Sequence, residues 1–227
     1  MWKKRRIRML VWMSLFWVGL IAGGFFLQLI WAHRFGQKYF KQDESVVCTA
    51  LLGWFSREDK RVNTKTGEIV TGPDFKNLQP GDILLTLSTH SLGWRHGHAA
   101  LVIDETTTLE CALWGSNSGY GDPRYFRNYS GYCVLRVKDV PEEIPSQVAD
   151  YAGKYLYDIP YHISAGFIGP KAPEVSKKYF GLQCSYLVWY AWNHFGYDID
   201  ADGGRLVTAT DLLESDLLEI VQSYGIE

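Results

Sequence analysis

Two short segments that lie far apart in the chain most constrain how it folds and what chemistry it can support. The first, residues 81–102, contains two apolar stretches, and His98 stands at the start of the second one. The other segment places Cys184 at the start of an apolar run, residues 184–189. The pattern predicts two buried strands and a helix that begins at the cysteine. A cysteine at a helix N-terminus beside a histidine on a strand is typical of thiolate nucleophilic catalysis, so the fold has to bring the two segments together.

The composition is that of a folded protein. Hydrophobic residues make up 47% and charged residues 21% of the chain, which argues against disorder. The net charge of −2 provides no basic field for nucleic acid, so no nucleic-acid partner is expected.

A long apolar run near the N-terminus predicts a membrane anchor. Residues 9–31 contain no charged side chain, and a helix of that length would span the ~30 Å hydrocarbon core of a bilayer. The basic cluster within residues 1–8 favours a cytoplasmic tail. We therefore expect an uncleaved single-pass transmembrane helix in the cell membrane, with the catalytic domain extracytoplasmic. A cleaved signal peptide is the alternative.

The remainder divides into a connecting region and one domain. Within residues 32–74 we expect a tether and an amphipathic helix, because the apolar positions between 46 and 55 share one helical face, followed by a polar surface loop over residues 57–73. Residues 75–227 are predicted to form one α+β domain. The predicted strands are 82–87, 99–104, 108–113, 133–137 and 217–221, and the predicted helices are 145–156, 184–195 and 211–215. Residues 114–132 form a long loop that is expected to wall a cleft.

Three residues are the candidates for catalysis. Cys184 is the candidate nucleophile, because the partial positive charge and unpaired N–H groups of a helix N-terminus favour a thiolate and an oxyanion. His98 is the candidate base, since a strand end holds an imidazole rigidly. Glu110 lies in an otherwise apolar strand, and a hairpin would return it to the level of His98, where it would orient the imidazole. The alternatives are a structural cysteine and a solvent-facing glutamate.

Several other polar residues are candidates for a functional role, and each also has a structural interpretation. Tyr161 and Gln183 are candidate substrate-binding residues, with packing or surface roles as the alternative. His90 and His96 compete with His98 for the role of base. A metal held by His96, His98 and Cys111 is not expected, because the ligand set is incomplete, and no cofactor is expected.

Two further patterns are interpreted as structural. Residues 198–204, with three aspartates and two glycines, are similar to the beginning of a calcium loop but lack its later glutamate, so they are interpreted as a solvated turn. Of the four cysteines, all except Cys184 are expected to be small buried side chains, and a disulfide between Cys111 and Cys133 stays open.

With these residues in hand, the chain resembles the circularly permuted papain-like hydrolases, the YiiX/YebB-like branch of the NlpC superfamily of cell-wall cysteine peptidases. In that branch the histidine precedes the cysteine, as it does here. The matching positions are residues 78–83, 97–102, 110, 160–161, 184–189, 203–204 and 207–208. The chain departs from the pattern at Gly97, where serine is usual, at Tyr186, where glutamate is common, and at Ala209, where proline is expected.

The resemblance implies an α+β fold in which a small antiparallel sheet packs on the cysteine helix. It also implies Cys184 as nucleophile, His98 as base and Glu110 as orienting residue. The expected function is that of a membrane-anchored extracytoplasmic cysteine hydrolase that cleaves an amide or peptide bond. A peptidoglycan stem peptide is the substrate that family and location suggest. The alternatives are a lipid-directed acyltransferase, lipase or thioesterase on the same fold, and a non-catalytic surface binding domain.

Overall fold

The computed structural model describes residues 12–19, 23, 45–50, 57–91, 95–112, 114–167, 170–173 and 181–226. The chain divides into two compact units, Met1–Phe40 and Lys41–Glu227. In the first unit, residues 12–19 and 23 are helical. All further description concerns the second unit.

The predicted transmembrane helix is a point of correction. Among the residues that the structure describes, no helix is both long enough and apolar enough to cross a membrane. An apolar run alone does not make a span, because crossing requires one continuous apolar helix of about 20 residues. The prediction of a single-pass membrane protein with an extracytoplasmic domain is therefore wrong. The rest of the predicted span, the basic tail and residues 32–44 lie outside the described residues.

Two antiparallel sheets form the framework of the second unit. The larger has six strands in the order β7-β6-β5-β3-β8-β9, and the smaller has three in the order β1-β2-β4. The strands are β1 Val46–Ala50, β2 Arg57–Arg61, β3 Ile83–Thr86, β4 Thr89–His90, β5 His98–Asp104, β6 Thr107–Glu110, β7 Gly119–Gly121, β8 Tyr132–Val137 and β9 Leu218–Tyr224. The α-helices, in our numbering, are α1 Ile144–Tyr155, α2 Cys184–His194 and α3 Ala209–Leu213, and one 3-10 helix covers Pro123–Asn128.

The core is built on the two central strands. Every residue of β3 is buried, and β5 is buried from His98 to Val102. This explains why both strands appear in the sequence as continuous apolar runs. Helices α1 and α2 pack on β5 and on each other. Since α2 is buried along most of its length, it is apolar nearly all round.

The small sheet replaces the amphipathic helix and the surface loop that the sequence predicts. β1 pairs with β2 where the helix was expected, and β2 consists entirely of charged residues within the expected loop. The helix prediction is wrong because β-branched residues dominate β1, and they suit an extended pairing as well as a helical face. The loop prediction is wrong because a charged segment is normally solvated, whereas β2 is largely buried.

Long-range partners make the burial of β2 possible. Asp59 is 4% exposed and pairs with both Arg95 and His90. Glu58, at 2% exposure, accepts a hydrogen bond from the Tyr125 hydroxyl at 2.8 Å. Buried charges persist only when they are paired and hydrogen-bonded, and none of these partners is a sequence neighbour.

The other predicted strands and helices of the unit are confirmed within a few residues. The predictions missed β4, β7 and the 3-10 helix, which are too short to carry a periodic signal. The Cys111–Cys133 disulfide that the sequence leaves open does not form: both residues are free, buried cysteines, as expected. The side chain of Cys48 lies outside the described residues.

A buried ion pair at the beginning of β3 should contribute strongly to stability. Asp82 is 1% exposed and accepts two hydrogen bonds of 2.7 Å from Arg136. Asp82→Ala leaves the guanidinium without its partner, so we expect a loss of about 2–3 kcal/mol in the free energy of unfolding, measured by urea denaturation. Asp74→Ala is the matched control, because Asp74 is exposed and makes an ion pair with Arg127 at the surface. Equal effects of the two substitutions would contradict this prediction.

Candidate active site

The β5–β6 hairpin brings His98 and Glu110 together as the sequence predicts. Leu101 pairs with Leu109, and continuing this register places Glu110 opposite Ala100, two residues from His98. Side chains two residues apart along a strand share one face, and a long side chain reaches its diagonal neighbour. Nε2 of His98 lies 2.6 Å from Oε2 of Glu110.

Cys184 completes the group from the other side of the imidazole. It is the first residue of α2, and its side chain is partly exposed. The thiol lies beside the imidazole of His98, and each group shifts the pKa of the other. Because Nε2 of that ring faces Glu110, Nδ1 is the nitrogen left for the sulfur. Oε1 of Gln183 lies 3.5 Å from the sulfur, and Oγ of Ser185 lies 3.7 Å from it.

These contacts favour a charged pair. Burial lowers the pKa of His98, but the hydrogen bonds and negative charges of Cys184 and Glu110 outweigh burial and raise this pKa to about 10. Burial raises the pKa of Cys184, yet the hydrogen bond and positive charge of His98 hold this pKa below the ordinary thiol value. The two groups titrate as a unit, and both shifts favour a thiolate beside an imidazolium over the neutral pair.

The start of α2 is fixed by Gln183. Its Oε1 accepts the N–H of Ser185 at 3.1 Å, and its Nε2 donates to the carbonyl of Val207 at 2.5 Å. The side chain is therefore an N-cap, with both ends of the amide engaged in holding the helix. The structure thus gives Gln183 a positioning role next to Cys184 instead of a free group for substrate.

The backbone of Tyr161 is fixed next to the start of α2. A bridge pairs it with Leu182, two residues before Cys184. Burial, with the negative charge of Cys184, raises the pKa of Tyr161 to about 12. Its hydroxyl therefore keeps its proton near neutral pH and can act as a hydrogen-bond donor.

Phe126 is a site residue that the sequence interpretation missed. Its ring stacks on the imidazole of His98, with centroids 5.5 Å apart and planes 17° apart. It belongs to the 3-10 helix, within the loop that was expected to wall a cleft. The signal in the sequence is Asp122 followed by Pro123, a helix N-cap before proline at the first helical position.

Gly97 explains one departure from the family pattern. Its φ is +69°, which side-chain-bearing residues rarely adopt, and a Cβ there would meet the Cβ of Ala209 and the carbonyl of Thr86. Gly97 and Ala209, two positions where the chain departs from the pattern, are thus in contact. The close approach sets the start of β5, and with it the position of His98.

The competing histidines have partners elsewhere. His90 pairs with Asp59, and His96 bonds to the carbonyl of Gly97 and lies 3.1 Å from the hydroxyl of Ser91. The thiol of Cys111 donates to the carbonyl of Leu182, and burial raises the pKa of this thiol to about 12, so it is protonated. His98 is thus the histidine that bonds to Cys184.

Comparisons with known proteins assign no family to this geometry. No protein-family profile, no curated protein and no solved structure matches the chain. The resemblance to the permuted papain-like hydrolases rests on the motif residues alone.

Gly121 provides a test of how Glu110 is held. A Cβ at Gly121 would contact Oε1 of Glu110, the movable end of that side chain. Gly121→Ala should therefore push the carboxylate away from His98 with little loss of stability. A loss of roughly 1 kcal/mol from the charge-assisted bond would slow iodoacetamide alkylation of Cys184 at pH 7 about fivefold. Gly119→Ala, where a Cβ meets nothing within 4 Å, is the matched control. Equal alkylation rates in the two variants would show that Glu110 does not support the pair.

Proposed function

We propose that this protein is a cysteine hydrolase that cleaves an amide or peptide bond. One observation carries the proposal: the thiol of Cys184 at a helix N-terminus is paired electrostatically with His98, whose Nε2 lies 2.6 Å from Oε2 of Glu110. Nucleophile, base and orienting carboxylate in this order are the arrangement that activated-thiol catalysis requires.

The first half of the reaction follows from the charged pair. The thiolate of Cys184 attacks the substrate carbonyl carbon, a C–S bond forms, and the carbonyl oxygen becomes an oxyanion. The imidazolium of His98 then donates its proton to the leaving amine as the C–N bond breaks, which leaves a thioester on Cys184. Since the proton already resides on His98 in the resting pair, no separate step of deprotonation is needed before attack.

Groups around the thiol are suited to the oxyanion. The N–H of Ser185 is taken by the Gln183 side chain, but the first turn of a helix also leaves the N–H group of Cys184 without an intrahelical acceptor. The hydroxyl of Tyr161, which keeps its proton near neutral pH, is a further candidate donor. Donors fixed in advance stabilise the developing negative charge without reorganisation.

In the second half, the now neutral His98 accepts a proton from water, and the hydroxide attacks the thioester. The C–S bond breaks, the acid product leaves, and the thiolate–imidazolium pair is restored. Glu110 holds the ring in place and stabilises its charge in both halves. Phe126, stacked on the ring, restricts its rotation.

The substrate class follows less directly. The sequence favours a cell-wall substrate on two grounds: the resemblance to a family and the predicted extracytoplasmic location. The second ground no longer holds, because it depended on the predicted transmembrane helix. The resemblance alone supports a peptidoglycan stem peptide, which is therefore the first amide substrate to test. Lipid acyl esters and thioesters, which the same chemistry would also cleave, are the other outcome of that test.

The proposal predicts a covalent intermediate on Cys184. The full chain is incubated with purified peptidoglycan fragments and, separately, with phospholipid vesicles, and both products and intact protein are analysed by mass spectrometry. We expect amide cleavage by the native chain and by the Cys133→Ala variant, because the thiol of Cys133 is buried in the core and lies outside the catalytic group. Cys184→Ala should be inactive, and His98→Ala should retain less than about 1% of the rate.

Other outcomes would change the assignment. Release or transfer of a fatty acyl chain that depends on Cys184 would replace the amide hydrolase with a lipid-directed enzyme. Cleavage that persists in Cys184→Ala, or the absence of both products and any acylated Cys184, would contradict the proposal.

A further inference from the structure

A second cluster of acidic side chains lies in the segment that leads into α3. Asp200, Asp202 and Asp211 each bring one carboxylate oxygen within 4.8 Å of those of the other two. Asp200 is buried, Asp211 half-buried and Asp202 exposed. This corrects the interpretation of residues 198–204 as a solvated turn, because a solvated turn would leave Asp200 in water.

The buried member of the cluster carries an unpartnered oxygen. Asp200 is 7% exposed, and its Oδ2 forms an ion pair with Lys171. Its Oδ1 is buried and accepts no hydrogen bond from any residue that the structure describes. A buried carboxylate oxygen without a partner costs free energy, so native structures rarely keep one without a ligand, ion or water.

Each of the other two carboxylates accepts hydrogen bonds through one of its two oxygens. Oδ1 of Asp202 accepts the N–H of Gly204 at 2.6 Å. Oδ2 of Asp211 accepts the N–H and hydroxyl of Thr208, which form the capping box of α3. Within the described part of the chain, no hydrogen bond reaches the second oxygen of either residue. The bonds that are made fix the carboxylates in place.

The charge balance also favours a divalent cation. Lys171 forms an ion pair with Asp200, and the three carboxylates together with this ammonium carry a net charge of −2. Burial raises the pKa of Asp200; Lys171 opposes this, while Asp211 and Asp202 raise it further. A bound cation would remove the repulsion among the carboxylates.

We propose that Asp200, Asp202 and Asp211 form a binding site for a divalent cation of the calcium type. Hard cations prefer carboxylate oxygens, and calcium holds them at about 2.3–2.6 Å, so oxygens on opposite sides of the ion lie roughly 5 Å apart. The spacing in the cluster is compatible with this geometry. The late carboxylate that the sequence pattern lacks is supplied by Asp211, which the fold returns to the turn.

The site is connected to the catalytic helix. Val207, between Asp202 and Asp211, accepts the hydrogen bond from Gln183 that holds the start of α2. Ala209 packs against Gly97, immediately before His98. A cation that fixes residues 200–211 would therefore stabilise both sides of the candidate active site without touching the reacting atoms.

Calcium binding to the full chain tests the inference independently of any enzymatic activity. After treatment with EDTA and its removal, CaCl2 is titrated in by isothermal calorimetry, and thermal unfolding is followed with and without the ion. We expect one calcium per chain and a rise in Tm of about 5–10 °C when calcium exceeds its Kd about 100-fold. Asp202→Asn, at an exposed position, should weaken binding at least tenfold, and so should Asp200→Asn if it folds.

Asp150→Asn, which removes an exposed carboxylate from α1, is the matched control and should bind calcium as the native chain does. The inference is overturned if calcium gives neither heat nor a Tm shift. It is also overturned if Asp202→Asn binds like the native chain, since the ion would then lie elsewhere. An equal response to MgCl2 at the same concentration would overturn the calcium assignment.

Discussion

A thiolate at the edge of a protein core depends on groups that compensate its charge, and this requirement connects the parts of the domain. His98 and the backbone of Ala99 lower the pKa of Cys184, so its ionisation needs both the beginning of β5 and the beginning of α2. His98 in turn needs the carboxylate of Glu110, which arrives from the next strand of the hairpin. The positions of one helix and two strands are thus tied to a single sulfur atom.

The surrounding structure holds these three residues by indirect contacts. A buried charge of β2 holds the 3-10 helix in place. Glu58 accepts a hydrogen bond from the Tyr125 hydroxyl, and the next residue, Phe126, stacks on the imidazole of His98. On the other side, Gln183 ties the start of α2 to Val207. The small sheet and the segment before α3 therefore serve the site although neither contributes a reacting atom, a division that is usual where catalytic groups must be held rigidly.

The sequence predicted the elements whose structure depends on neighbouring residues in the chain. The apolar runs of β3 and β5 and the helix that begins at Cys184 follow from periodicity, and the pairing of His98 with Glu110 follows from the short turn between their strands. The strand character of β2 could not be predicted, because Asp59 and Glu58 are buried by partners such as Arg95 and Tyr125, far along the chain. The predicted span at residues 9–31 rested on hydropathy alone, and no helix able to cross a membrane is found among the described residues.

The protonation state of His98 tests the central claim most directly. In the full chain with labelled histidines, NMR follows the imidazole of His98 from pH 5 to pH 10, with its signals assigned by their loss in His98→Gln. The thiolate–imidazolium pair predicts a ring that stays protonated through neutral pH and loses its proton only as the pH approaches about 10. In Cys184→Ala, the same ring should lose its proton at a lower pH. A native ring that titrates near the ordinary histidine value of about 6.5, with no change in Cys184→Ala, would contradict the account.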